Sequence, residues 1–197
     1  MVVGTGNKAI ILEKALSLFA ERGYEAVGVA EICEASGITK PTLYHYFGSK
    51  LGLLEAIIDE KGGILAARAA EAAAYRAGDR ERGVPDGLAA IALAFARSAE
   101  EEPGFARLRL TLAFAPPASE GARAAAALNE AVFASVEAFF GAAARDHGNM
   151  RGRSRPYAAA FIGAVDTCVG LYLAGRSELG DEIVLGAVRR FMYGIFS

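Results

Sequence analysis

Apolar residues recur at helical spacing along most of this 197-residue chain. In the first predicted helix, from about Asn7 to Arg22, one helical face is formed by Ile11, Leu12, Ala15, Leu18 and Phe19. Alanine, the strongest helix former, supplies much of the apolar content, and the alternating β-branched runs typical of strands are rare. The pattern predicts an all-α protein.

Glycine and proline divide this pattern into further helices. Short second and third helices are predicted from about Val29 to Ser36 and from Lys40 to about Phe47. A fourth runs from Lys50 to about Ala77, with a kink at Gly62-Gly63, because each interior glycine costs about 1 kcal/mol relative to alanine. A charged break follows at Gly78–Pro85. Later helices are predicted at about 85–101, 103–113, 119–146, 156–175 and 181–196.

Composition excludes several classes of protein. The content of 53% hydrophobic residues is too high for a disordered chain, and the net charge of −2 does not by itself indicate nucleic-acid binding. Cys33 and Cys168 are far apart and predict neither a zinc site nor a disulfide, so both are interpreted as small buried apolar residues. The N-terminus lacks the layout of a signal peptide, and Asp166 interrupts the most apolar stretch, so we expect a cytoplasmic protein without a membrane span.

The sequence carries none of the common catalytic motifs. It has two histidines, no HExxH or ExxH motif, no glycine-rich phosphate loop before a helix and no nucleophile elbow. We therefore expect no catalytic residue, no metal site and no cofactor, and the chain is not interpreted as an enzyme.

The strongest local signal lies in residues 29–47, where two short helices are joined by a tight turn at Gly37-Ile38-Thr39. This is the layout of a helix-turn-helix, whose second helix lies in the major groove of DNA. Thr39 is expected to cap that helix, Ser49 to cap the next one, and Leu43 and Phe47 to anchor the buried side. The exposed side would present side chains that phosphates and bases can use, namely Lys40, Thr42, Tyr44, His45 and Tyr46. An unrelated helical hairpin is the alternative.

The run from Gly37 to Lys50, GITKPTLYHYFGSK, resembles the TetR family of bacterial transcriptional regulators, as do ALSLFAERGY at 15–24, VAEIC at 29–33 and Leu53-Leu54. The resemblance covers about residues 8–60; beyond them, only the number, lengths and order of helices agree. It implies that Lys40 and His45 read bases, that Thr42 and Tyr44 contact a base or a phosphate, and that Tyr46 and Lys50 contact phosphates.

The resemblance implies a set of DNA-binding residues: Gly28, Val29, Thr39, Lys40, Pro41, Thr42, Tyr44, His45, Tyr46 and Lys50. The backbone N–H groups at Gly28-Val29 would hold a phosphate at the start of the second helix. The family often has Ser or Thr near Gly28, so this contact is expected to be weaker here.

Residues 1–50 carry no net charge. The segment contains five Lys and Arg residues and five Glu residues, so the positive and negative charges are equal in number. Because phosphate affinity arises largely from released counterions, with a log–log salt slope near −0.9 per neutralised phosphate, the acids must face away from DNA. We expect a modest salt slope.

The C-terminal half offers candidates for a ligand pocket, although apolar residues at helical spacing more often form core. The candidates are Phe95, Phe105, Leu108, Leu112, Phe133, Phe140, Tyr157, Phe161, Asp166 and Tyr172. Asp166 lies at the surface, at a dimer seam or in a pocket, since unpaired burial is costly. The arginine-rich segment Arg145–Arg155 is either a mobile surface loop or a second anionic contact.

These observations predict two domains: residues 1–48, a DNA-binding module, and residues 49–197, a ligand-binding and dimerisation domain in which 49–77 is the linking helix. A homodimer would form through about 156–175 and 181–196, because apolar stripes of this kind suit a four-helix interface. The predicted function is sequence-specific binding to a double-stranded DNA operator, with repression released by a small apolar or amphipathic effector. A constitutive DNA-binding protein, or a helical small-molecule-binding or interaction protein without DNA binding, remains as an alternative.

Overall fold

The computed structural model describes residues 3–74 and 83–194, and within these ranges it contains α-helices and no β-strand. The first six are α1 (Val3–Arg22), α2 (Val29–Ser36), α3 (Lys40–Phe47), α4 (Lys50–Ile57), α5 (Gly63–Ala72) and α6 (Val84–Glu101). The remaining four are α7 (Pro103–Ala113), α8 (Glu120–Ala143), α9 (Ser154–Leu173) and α10 (Asp181–Tyr193). The all-α prediction is confirmed.

Most predicted helix ends lie within a few residues of the observed ones. The predicted break at Gly78–Pro85 lies largely outside the described residues, and α6 begins at Val84. The segment predicted as a loop, 146–155, contains a short 3-10 turn at Gly148–Met150. The last helix was expected to reach Phe196 but ends at Tyr193, followed by Gly194 with a φ of 78°.

The irregularity predicted at Gly62-Gly63 in the fourth helix begins four residues earlier, at Ile58, and ends at Gly62. A π-helical segment, Ile58–Gly62, separates α4 from α5. Gly62 is buried there, and a Cβ atom at this position would lie 2.6 Å from a methyl carbon of Leu128. This glycine therefore permits close packing, which its helix propensity does not reveal.

The chain divides into two compact units. The first consists of Met1–Gly63 and Gly104–Leu128, and the second of Ile64–Pro103 and Asn129–Ser197. In the first unit, α1, α2, α3 and α4 pack against one another; in the second, α6, α9 and α10 do so. The division predicted after residue 48 concerns function and stays a prediction.

Candidate nucleic-acid interface

The turn between α2 and α3 is closed by backbone hydrogen bonds. Gly37 has a φ of 65°, a left-handed conformation in which a side chain is strained. Its N–H donates to the Glu34 carbonyl at 3.2 Å, and the N–H of Ile38 donates to the Cys33 carbonyl at 3.0 Å. These bonds satisfy carbonyls at the end of α2 and turn the chain directly into α3.

The α3 helix has one buried and one exposed side. Leu43 is 0% exposed, whereas Tyr44 is 46% exposed and His45, Lys40 and Pro41 are exposed as well. The sequence of α3 contains no Asp or Glu. This exposed side therefore offers an ammonium group, an imidazole and a phenol to an anionic partner, without a carboxylate on the same helix.

The remaining residues of α3 are intermediate in exposure. Thr42, Tyr46 and Phe47 are half-buried. Phe47 was expected to share the anchoring role of Leu43, but Leu43 is the more deeply buried of the two. Tyr46 packs against both neighbouring rings, with centroids 5.5 Å from His45 and 6.2 Å from Phe47. These contacts restrict the rotamers of the two rings that flank Tyr46.

The two predicted helix caps differ. The Ser49 hydroxyl accepts a hydrogen bond from the N–H of Gly52 at 2.9 Å, which confirms the predicted cap of α4. Thr39 occupies the predicted N-cap position of α3 but makes no side-chain capping hydrogen bond, and its hydroxyl lies 2.9 Å from that of Thr42. The hydroxyl partner one turn along the helix competes with the backbone N–H for this side chain.

Lys50, expected to contact a phosphate, makes three contacts within the first unit. Its ammonium donates to the carbonyls of Tyr24 at 3.0 Å and Val27 at 3.1 Å, and lies 4.1 Å from the centroid of the Tyr24 ring. Lys50 thus joins the start of α4 to the segment between α1 and α2. An ammonium group has three N–H donors, and two of them donate to these carbonyls. The phosphate contact stays a prediction.

Tyr24 belongs to the segment 15–24 that resembles the family, and the structure shows that its side chain is buried and hydrogen-bonded. The side chain is 2% exposed, and its hydroxyl donates a hydrogen bond to the carboxylate of Glu120 at the start of α8. Burial raises the pKa of this phenol, and the Glu120 carboxylate raises it further, as do the negative charges of Glu25 and Glu55. Glu120 lies 96 residues further along the chain, so no local sequence pattern could predict this hydrogen bond.

The start of α2 holds a carboxylate where a phosphate was predicted. The N–H of Gly28 donates to Glu31 at 3.4 Å, and Glu31 also forms an ion pair with Arg22. A phosphate bound at Gly28-Val29 would therefore meet a carboxylate that is already paired with a guanidinium. The predicted contacts at Gly28 and Val29 are not tested by this arrangement. The acid and the base offset each other's charge near the helix-turn-helix.

The predicted pocket residues fall in both units, and their assignment to a pocket stays a prediction. In the first unit, Phe105, Leu108 and Leu112 are buried. In the second, Phe95, Phe140 and Phe161 are buried, whereas Phe133, Tyr157 and Tyr172 are half-buried.

Asp166 is 8% exposed, which removes the surface alternative for this residue.

Two further sequence interpretations meet different outcomes. Cys33 is buried as expected, but Cys168 is half-buried. Across residues 3–74 and 83–194, the structure contains no cluster of three or more His, Cys, Asp or Glu residues able to hold a metal ion.

Two cavities of the second unit include predicted residues. One, of about 590 Å³, is lined in part by Phe140 and Tyr157. The other, of about 690 Å³, is lined by Tyr172 and the segment 175–180. Phe133 lines neither of these two cavities, and the guanidinium of Arg155 lies 4.8 Å from its ring centroid.

Comparison with known proteins places this geometry in a class. A sequence model of bacterial regulatory proteins of the tetR family matches residues 11–57, which contain the helix-turn-helix. The HTH-type transcriptional repressor ComR of Escherichia coli K12 is 48% identical over 48 residues, which are 24% of this chain and 23% of ComR. The chain thus matches such curated relatives over about a quarter of their length.

The likeness to solved structures extends further. The TetR family transcriptional regulator PfmR of Thermus thermophilus has a TM-score of 0.72 at 25% identity, covering 94% of this chain and 95% of PfmR. The transcriptional regulator FadR of Bacillus subtilis, in complex with stearoyl-CoA, has a TM-score of 0.75 at 18% identity, covering 95% of this chain and 98% of FadR. Fold and matched segment together define a helix-turn-helix protein with a helical C-terminal domain. The helix-turn-helix segment of this chain thus matches the tetR family of bacterial regulatory proteins, and its whole fold is similar to that of a TetR family regulator.

Proposed function

We propose that this chain is a dimeric, sequence-specific DNA-binding transcriptional regulator. The observation that carries the proposal is α3, which is anchored by the buried Leu43 and presents Lys40, Tyr44 and His45 on an exposed side without acids. In a dimer, two such helices would enter successive major grooves about 34–36 Å apart. Residues 1–48 would form the DNA-binding module and 49–197 the effector and dimerisation domain.

The α9 helix supports the dimer. By length and composition alone this helix could cross a membrane, and 28% of its apolar window is buried within the chain. Its charged residues are Arg155 and Asp166, and Asp166 is buried. Exposed small or apolar residues follow one another at three- and four-residue spacing: Pro156, Ala159, Gly163, Thr167 and Leu171. We infer that a second copy covers this stripe, since small residues allow close approach of a second backbone.

Repression released by an effector is the proposed regulatory mode. ComR is named a repressor, and FadR was crystallised with stearoyl-CoA. For this chain we propose a small apolar or amphipathic effector, which would lower operator affinity only in so far as it binds the DNA-free state more tightly. The second-unit cavity lined in part by Phe140 and Tyr157 supports an effector of this kind.

The test of DNA binding is fluorescence anisotropy with DNA flanking the gene, across a salt series. Lys40→Ala and His45→Ala should each weaken binding about tenfold, since a base contact contributes about 1–3 kcal/mol. Lys14→Ala is the matched control, because Lys14 is an exposed lysine on α1 whose ammonium lies 3.5 Å from Glu13. If neither this DNA nor any sequence from a random-sequence selection binds better than random DNA, the proposal is wrong. The chain would then be a helical binding protein without DNA recognition.

The dimer has its own test. Gly163→Glu places a charge in the middle of the α9 stripe, at a position where a Cβ atom meets nothing within 4 Å. Sedimentation velocity should show a monomer for this variant and a dimer for Ala126→Glu, which changes an exposed alanine of α8. A Gly163→Glu variant that remains dimeric would place the interface elsewhere.

A further inference from the structure

A cavity of about 590 Å³ lies within the second unit, at the end where α8 leads into α9. Its walls come from α8, α9, α10, the start of α6 and the connection between α8 and α9. They include Val84, Phe140, His147, Tyr157, Phe191 and Met192. The volume falls within the range of about 300–1,000 Å³ that is usual for small-molecule sites.

Three aromatic rings form the apolar wall. The Phe140 ring centroid lies 5.7 Å from that of Tyr157 and 6.2 Å from that of Phe191. Phe140 is buried, but Tyr157 and Phe191 are half-buried, so part of their ring surface is open to the cavity. Such a wall favours the hydrocarbon part of a ligand, because contact removes apolar area from water.

The edge of the cavity is polar and basic. His147 and Asn149 belong to its lining, and the connection carries the exposed residues Arg145, Arg151 and Arg153. The Arg153 guanidinium donates a hydrogen bond to the Tyr157 side chain, which places this cation beside the aromatic wall; the same bond raises the pKa of Arg153. Arg155, in contrast, lies 3.3 Å from the Glu137 carboxylate, which offsets its charge.

We infer that this cavity binds an amphipathic anion, with its apolar body against Phe140, Tyr157 and Phe191 and its carboxylate at Arg153. The inference deepens the proposed function, on which it rests for the role of effector, by giving the ligand a place and a charge. A second copy of the chain suits this edge less well. A symmetric interface would bring two equally basic connections together.

The charge requirement is tested by isothermal titration calorimetry with decanoate and with 1-decanol, both below their aggregation limits. Decanoate should bind at least tenfold more tightly than the alcohol of the same chain length. Arg153→Gln should abolish this difference, and Arg176→Gln, an exposed arginine outside this cavity, should preserve it. Equal affinities of the unmodified protein for both compounds would overturn the anionic part of the inference.

The position is tested by filling the cavity. Ala160 lines it, whereas Ala134, an exposed alanine of α8, does not. Ala160→Leu should reduce decanoate affinity at least tenfold, and Ala134→Leu should leave it unchanged. If Ala160→Leu leaves the affinity unchanged but disrupts the dimer in sedimentation, a second copy occupies this face and the inference is wrong. The inference is also wrong if the unmodified protein binds neither compound.

Operator binding is measured separately, without decanoate. A protein that binds decanoate but no operator would retain the site and refute the regulator. A protein that binds its operator but not decanoate would retain the regulator and refute the site.

Discussion

The helix-turn-helix segment and the second unit differ in how closely their sequences are tied to their folds. The family match spans residues 11–57, whereas the structural likeness to PfmR covers 94% of the chain at 25% identity. In the first region, single residues have duties that few others can perform. The second is built from apolar helices whose core residues can be exchanged if volume and pattern are kept. A fold can therefore persist where its sequence signature has been lost.

Particular residues show the difference. The left-handed backbone at position 37 favours glycine, and Lys50 donates to two carbonyls with one ammonium group. Val165 and Val169 of α9 are buried too, but their duty is to fill space. Residues with a specific backbone or hydrogen-bonding role give a recognisable sequence motif. Residues that only fill the core give a periodic pattern of apolar positions.

The largest expected effect tests whether the region with the clear sequence signature is also the more stable one. We expect core truncations in both regions to reduce the free energy of unfolding equally. Leu43 of α3 and Leu88 of α6 are both 0% exposed. Leu43→Ala and Leu88→Ala should each lower the free energy of unfolding by about 3 kcal/mol, because each truncation removes apolar contacts and leaves a cavity. Urea denaturation measures both. A loss below about 1 kcal/mol at Leu88 alone would mean that the second unit is loosely packed.

The second prediction sharpens the account of Lys50. Lys50→Met should cost about 2 kcal/mol of stability, because it leaves the part-buried Tyr24 and Val27 carbonyls without their charged donor. It should change the salt slope of operator binding by much less than the value of about 0.9 expected for the loss of one neutralised phosphate. A reduction of the slope by about 0.9 would establish Lys50 as a phosphate contact.

The third prediction concerns Tyr24 and pH. The folded pKa of this phenol lies above its ordinary value of 10.0, so folding favours the neutral form. Its contribution to stability is present below pH 10 and is lost as the pH rises above 10, where the unfolded chain releases a proton that the folded chain keeps. The loss should approach about 1.4 kcal/mol per pH unit. Urea denaturation between pH 9 and pH 11 should show a shallower decline for Tyr24→Phe; identical slopes would contradict the shift.

The smallest effect compares two glycines. Gly37→Ala should cost about 1 kcal/mol, because alanine is strained at a φ of 65°. Gly63→Ala makes the same change at a helical φ with open space around the Cβ atom, and it should stabilise the protein by about 0.5–1 kcal/mol. Thermal denaturation distinguishes the two, and a shift in the same direction for both would contradict the assigned role of Gly37.

Local patterns predicted much of the fold and part of the interface. Glycines marked the ends of α1, α2 and α3, Ser49 was identified as a cap, and the exposure of Lys40, Tyr44 and His45 followed from helical spacing. Errors arose where two local options compete. The Thr39 hydroxyl, at the predicted cap position, bonds to Thr42 instead of a backbone N–H, and the irregularity predicted at Gly62-Gly63 is a π-helical segment that begins at Ile58.

The sequence by itself determined the helices, the helix-turn-helix and its exposed basic and aromatic side, because these depend on residues three or four positions apart. Tertiary structure decided that Lys50 binds the carbonyls of Tyr24 and Val27, and that the Tyr24 hydroxyl reaches Glu120. It also brought Phe140, Tyr157 and Phe191 around one cavity. The partners in these hydrogen bonds are 23 to 96 positions apart in the sequence. Their distances depend on how the packed helices cross, and no local residue spacing encodes that crossing.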